Sequence, residues 1–264
     1  MCITSPFYTL GAYPVTGKGL SVSASEIDAL LTGPVAAVVF DNDGRDEVAA
    51  LLEGLADTDF AKENLETLLN GARQPEDWRV GEALAETFLT QNKACYFPWP
   101  DGRDERKRGS SLPGADLVGF HHDGQTERFA FGEVKTSAEN AYPPSAAYGR
   151  HGLKQQLEDL RNCRTIRNDL VMYLAHRAVR ASWATRFQAA AAVYLRDTHE
   201  VRIFGLLVRD VTPNHDDLRA RVSTLGLNCP ANTVIELLAI YLPQGRIATL
   251  GSQVMAAHQR GGAQ

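Results

Sequence analysis

The sequence predicts an α/β protein with a mixed central sheet flanked by helices, and three observations predict it. Trp78 to about Asn92 places Leu84, Ala85, Phe88 and Leu89 at helical spacing, as an amphipathic helix requires. Next come two extended runs, Ala115–Phe120 and Glu127–Thr136, separated by His121-His122-Asp123-Gly124-Gln125, whose Asp-Gly pair suits a tight hairpin turn. Helical periodicity then returns and gives way to further apolar runs, an order that builds helices against a mixed sheet.

Taken in order, residues 1–77 read as a smaller N-terminal α/β part. An apolar strand is expected at Pro34–Phe40, ended by the turn Asp41-Asn42-Asp43-Gly44, with helices around Asp46–Leu55 and Ala61–Leu69. Gly71–Asp77 is a connection, and residues 78–264 form the main domain. Within it Pro98–Pro113 is a polar loop, rich in Pro, Gly, Asp, Arg and Ser. Helices are expected at His151–Cys163 and Ile166–Gln188. A second strand pair, Ala190–Leu195 and Val201–Val208, flanks a turn at Arg196–Glu200. A helix at Asp216–Leu225, a strand at Thr233–Leu242 and a loose tail at Gln259–Gln264 complete the pattern.

With 264 residues, 44% hydrophobic and 22% charged, the chain can bury a large core, which excludes a staple-dependent miniprotein or a disordered chain. Its four cysteines show no zinc-ligand spacing. No secretory leader is evident at the start, and no apolar run approaches the ~20 residues that span a bilayer. A cytoplasmic protein with reduced thiols and no membrane partner is therefore expected. The net charge of −5 hides an asymmetry: residues 1–99 hold 6 Lys/Arg against 15 Asp/Glu, whereas residues 145–190 hold 8 basic against 3 acidic side chains. An acidic front and a basic centre suit different partners, a protein for the first and nucleic acid for the second.

The chemistry concentrates in Gly114-Ala115-Asp116 and Phe131-Gly132-Glu133-Val134-Lys135-Thr136. Alternation along a strand places Glu133 and Lys135 on one face with Val134 on the other, and an antiparallel hairpin returns Asp116 beside them. Two carboxylates and the Val134 carbonyl offer hard oxygen ligands for Mg²⁺ or Mn²⁺. Lys135 can orient a water and offset negative charge as a phosphodiester is hydrolysed. On the preceding helix Glu82 borders the apolar face beside Ala85 and Leu89, while Glu86 turns further towards solvent. Gln156 shares the stripe of Leu153 and Leu160 and faces the core side.

At these residues the chain resembles the PD-(D/E)XK nuclease superfamily, over roughly residues 78–210 by element order, with Ala115 where many members have Pro. The resemblance implies a restriction-endonuclease-like core and catalytic roles for Asp116, Glu133 and Lys135. It also implies a third carboxylate on the first helix, for which Glu82 is the candidate, and a glutamine element matched by Gln156, with Leu160 in place of its Tyr. The combination Gly-Glu-x-Leu-Ala-Glu, Gly-x-Asp and Phe-Gly-Glu-x-Lys-x-Ser is further similar to the HamA nuclease family of the Hachiman anti-phage defence system. That likeness implies DNA as substrate and a helicase or other protein regulator contacting residues 1–77. Arg150, Lys154, Arg161 and Arg164 are the expected phosphate contacts. Two other readings of the same residues stand beside this one: a catalytically silent nuclease-fold scaffold, and an enzyme using Asp116 and Glu133 as an acid/base pair.

Three further signals are set aside. Gly11–Gly19 is similar to a phosphate-binding loop but has five residues between Gly11 and Gly17 and Gly19 where Ser or Thr is required. Asp41–Gly44 is similar to a calcium loop, but its Gly is misplaced and Leu52 stands where Glu is needed. His121-His122, expected on a hairpin turn, would point apart.

Overall fold

The computed structural model describes residues 6–70, 74–100, 103 and 114–261. The chain starts with a hairpin, β1 (Tyr8–Ala12) and β2 (Val15–Ser21), followed by four helices: α1 (Ala24–Thr32), α2 (Pro34–Val39), α3 (Asn42–Leu52) and α4 (Asp59–Asn70). Helix α5 (Asp77–Asn92) leads into β3 (Cys95–Tyr96), β4 (Leu117–His122) and β5 (Glu127–Ser137). Three helices follow, α6 (Leu153–Asn162), α7 (Arg164–Ala178) and α8 (Ala184–Arg196), then β6 (Val201–Arg209), α9 (Asp216–Gly226), β7 (Val234–Tyr241) and α10 (Leu250–Gly261).

The seven strands form one mixed sheet in the order β1-β2-β7-β6-β5-β4-β3. The inner strands β5, β6, β7 and β2 run parallel, while β1, β4 and β3 pair antiparallel at the two sides. Inner parallel strands are covered on both faces, and this is why β6 and β7 read as near-continuous apolar runs. One face, with Phe129, Phe131, Ile203, Leu207 and Leu237, is packed by α6, α7, α8 and α9. The other, with Ala130, Val134, Phe204, Leu206 and Ile240, is packed by α1, α2, α5 and α10. The expected α/β class with helices flanking a mixed sheet is what the chain adopts.

Several local expectations are corrected. Pro34–Phe40 is helix α2, not a strand: Pro34 occupies its first turn, where its fixed φ favours a helix and its missing N–H costs nothing. Asp41–Gly44 is not a free turn but the start of α3, with the Asp41 side chain accepting from Gly44 N at 3.2 Å. Ala190–Leu195 belongs to helix α8, as four successive alanines favour; Ala190 and Tyr194, four residues apart, are its buried positions. The expected second strand pair therefore does not form, and β6 pairs instead with β5 and β7. The expected helix Ile166–Gln188 is two helices, interrupted where Arg180 takes a positive φ of 67°.

Both histidines of His121-His122 lie within β4, and the hairpin turn follows them; its Asp123 Oδ1 accepts from Gln125 N at 3.0 Å and Thr126 N at 2.8 Å. The Gly11–Gly19 segment is part of the β1–β2 hairpin. Because β2 pairs with β7, the sheet crosses the boundary expected at residue 77, which falls at the first residue of α5. Most of Pro98–Pro113 and the end of the Gln259–Gln264 tail lie outside the described residues, and α10 extends to Gly261.

Two close approaches set the site's surroundings. A Cβ on Gly81 would stand 1.9 Å from Thr136 Oγ1, so the glycine lets α5 lie directly on β5. A Cβ on Gly205 would stand 2.6 Å from Leu157 Cδ1, so α6 seats a leucine on β6 beside Glu133, the β5 residue paired with Gly205.

Candidate metal-dependent active site

The register of β4 on β5 pairs Leu117 with Gly132 and Val118 with Phe131, which brings Asp116, one residue before β4, level with Glu133. The Val134 amide donates to Asp116 Oδ2 at 2.7 Å, so a side-chain bond extends the ladder and fixes this carboxylate against β5. Glu133 has no solvent exposure, and its Oε1 lies 2.5 Å from Lys135 Nζ. The Lys135 side chain keeps 22% of its exposure and lies between the buried carboxyl and solvent. The three residues meet as the strand alternation predicts.

Electrostatics mark Glu133 as the unusual member. Burial first, and then the neighbouring Asp116 charge, raise its pKa to about 9 against the lowering effect of Lys135. Its Oε2 is buried and has no hydrogen-bond partner. A buried polar atom with no partner is costly unless something fills its coordination. A divalent cation placed between Asp116 and Glu133 would do so, and Mg²⁺ is characteristically held by one or two carboxylates with water completing its shell. The donor set therefore fits a hard cation, with the Val134 carbonyl as a further oxygen on the same strand.

The expected third carboxylate is not gathered into this group. Glu82 is held by Arg79 Nη1 at 3.1 Å, and together with Glu86, Asp41 and Asp116 it lines a cleft of about 70 Å³ bounded by α2 and α5. Among the described residues, no three His, Cys, Asp or Glu side chains gather closely enough to hold a metal. Glu82 and Glu86 both reach the cleft wall, so the helical wheel's distinction between them is not reproduced there. Gln156 lies on α6, which packs on the Glu133 face; its Oε1 is buried without a partner, and it forms no hydrogen bond to the Asp116–Glu133–Lys135 group.

The four expected phosphate contacts divide. Arg150 and Arg164 are exposed, and Lys154 is 41% exposed with Glu158 at a loose 3.9 Å. Arg161 is corrected: its Nη1 donates to Leu225 O at 2.7 Å and Leu227 O at 3.2 Å, satisfying the carbonyls at the end of α9. Arg167, from the same basic run, is buried and donates to Leu160 O and Arg161 O, both at 2.7 Å, closing the end of α6. Two of the eight basic residues in this run thus cap helix ends. The sequence reading also missed a buried ion pair, Arg209 with Asp217 at 3.3 Å; the available signal was a charged residue closing the uncharged run 203–208 of β6.

No protein-family model matches the chain, and no curated protein matches its sequence.

Proposed function

We propose that the chain is a metal-dependent nuclease that hydrolyses DNA phosphodiester bonds, with Asp116, Glu133 and the Val134 carbonyl holding Mg²⁺ or Mn²⁺. The observation that carries this reading is Glu133: a fully buried carboxyl with one oxygen on Lys135 Nζ at 2.5 Å and the other without a partner. The bound ion would supply Lewis-acid polarisation of the phosphate and a lowered pKa for water. The Val134 amide keeps Asp116 turned onto the site. Lys135, held by Glu133, presents an ammonium that offsets charge developing on the phosphate oxygens. Leu157, Phe129 and Phe131 exclude water from the sheet beneath, which strengthens each of these interactions. Arg150, Lys154 and Arg164 remain as phosphate contacts.

The resemblance to defence nucleases extends the reading to anti-phage defence in the cytoplasm, under control of a helicase or other protein regulator. Helices α3 and α4 and the connection between them support a protein contact: Leu51, Leu55, Phe60 and Leu68 are 76%, 71%, 74% and 64% exposed among many acidic side chains. Among the described residues no helix is long and apolar enough to cross a membrane.

The two-carboxylate site also favours a second reading, a nuclease-fold scaffold that binds DNA or protein without cutting. Incubating the protein with plasmid and Mg²⁺ or Mn²⁺, beside Glu133→Ala and Lys135→Ala, separates them. Cleavage by the wild type alone supports the nuclease; DNA binding without cleavage supports the scaffold; undiminished cutting by both variants refutes the assignment of these residues.

A further inference from the structure

One buried charged group takes no part in the mechanism above. Arg209, at the end of β6, has no exposed surface, and its guanidinium makes three directed contacts. Nη1 donates to Ser137 O at 2.9 Å, Nη2 to Ala141 O at 2.8 Å, and Nε to Asp217 Oδ2 at 3.3 Å. Asp217 is equally buried and lies 2.8 Å from the Tyr241 hydroxyl, which in turn lies 3.0 Å from the Tyr8 hydroxyl of β1. The group therefore joins α9, β7, β1 and β6 to the far end of β5.

Buried ion pairs are weak contributors to stability, since apolar side chains of similar volume often serve as well or better. What this one adds is direction. Ser137 is the last residue of β5, two positions beyond Lys135, and lies opposite Arg209 in the β5–β6 register. Ala141 belongs to the segment that leaves β5 towards α6, the helix carrying Leu157 and Gln156. The planar fork spans both carbonyls at once, which an ammonium on a single stem cannot do. It sets the strand end and the departing segment in fixed relation, and with them the backbone from which Lys135 projects.

We infer that Arg209 is a positioning residue for Lys135, acting through the Ser137 and Ala141 carbonyls and itself oriented by Asp217 and Tyr241. The inference rests on the nuclease reading, in which Lys135 acts on the phosphate. A misplacement near 1 Å at a reacting group costs roughly 100-fold in rate. Arg209→Lys in the 264-residue chain, confirmed as folded by thermal unfolding, is expected to lower kcat for DNA cleavage about 10- to 100-fold with KM little changed. Hydrogen exchange should quicken within residues 136–148 and not elsewhere.

Wild-type kcat in folded Arg209→Lys overturns the inference. So does a loss of activity with exchange quickened evenly along the chain, which marks a general structural role. If Arg209→Lys does not fold, Tyr241→Phe keeps the ring and removes the hydroxyl beside Asp217. It should give the same local exchange pattern with a smaller fall in kcat, and an unchanged kcat again overturns the inference. Absence of metal-dependent cleavage in the wild type removes the nuclease reading and this inference with it; cleavage lost in Glu133→Ala but intact in Arg209→Lys removes the inference alone.

Discussion

Replacing Glu133 by glutamine probes the site through stability, with no substrate or metal required. In the folded chain the Glu133 carboxyl holds its proton up to about pH 9, because burial and the neighbouring Asp116 disfavour its charged form. Unfolded, it reverts to a value near 4.5. Between those two values the native state carries one more proton than the unfolded state, so raising the pH favours unfolding. The slope is about 1.4 kcal/mol per pH unit, which reaches roughly 3 kcal/mol at pH 7. Below pH 4.5 the effect vanishes, and above about 9 it is constant. Glutamine has nearly the same shape, can accept from Lys135, and does not titrate. Titrating groups away from this site are common to both proteins and cancel in the difference. Urea unfolding of wild type and Glu133→Gln at pH 5, 6, 7 and 8, with chelator present, should therefore show a stability gap that moves in the variant's favour by about 4 kcal/mol across that range. Parallel curves with a constant gap would mean that Glu133 is ionised throughout, and the buried-acid description of the site would be wrong.

The same proton governs metal binding: calorimetric titration with Mn²⁺ near pH 7, repeated in buffers of different ionisation enthalpy, should report release of about one proton per ion, and affinity that ignores pH between 6 and 8 contradicts it. Arg161→Ala should lower stability by roughly 1.5–3 kcal/mol through the carbonyls freed at the end of α9, leaving DNA affinity unchanged. Arg164→Ala, by contrast, should weaken binding and reduce its salt slope by about one; filter binding across salt concentrations decides between them. Gly81→Ala should cost about 1–3 kcal/mol by pressing on Thr136, and thermal unfolding should show much of this restored in the double variant with Thr136→Ala.

Asp116, Glu133 and Lys135 were legible because their geometry is local: a strand's two-residue period and one short hairpin fix which side chains share a face. Helix α5 was legible for the same kind of reason, since its apolar stripe repeats over several turns. The runs at 34–40 and 190–195 were misread because a short unbroken apolar stretch has no period to discriminate strand from helix. A proline in the first turn of one and alanine content in the other decide the matter. Placement of β1 and β2 beside β7 and the capping role of Arg161 depend on neighbours distant in sequence. Neither leaves a local pattern. The third carboxylate was legible in part: the wheel placed Glu82 on the side of α5 that shares a cleft with Asp116, where Arg79, one turn earlier, engages it.

Pairing of β2 with β7 ties the sheet together across almost the entire chain, and the Tyr8 and Tyr241 hydroxyls that touch are 233 residues apart. At translation speeds of 5–20 residues per second, the opening hairpin emerges from the ribosome roughly 10–45 s before its neighbour exists. Until then β7's place in the sheet is vacant, one edge of β6 is bare, and Asp217 lacks the hydroxyl that orients it. Synthesis itself thus delays completion of the sheet, and a product released before residue 241 cannot assemble the full frame around the acidic pair.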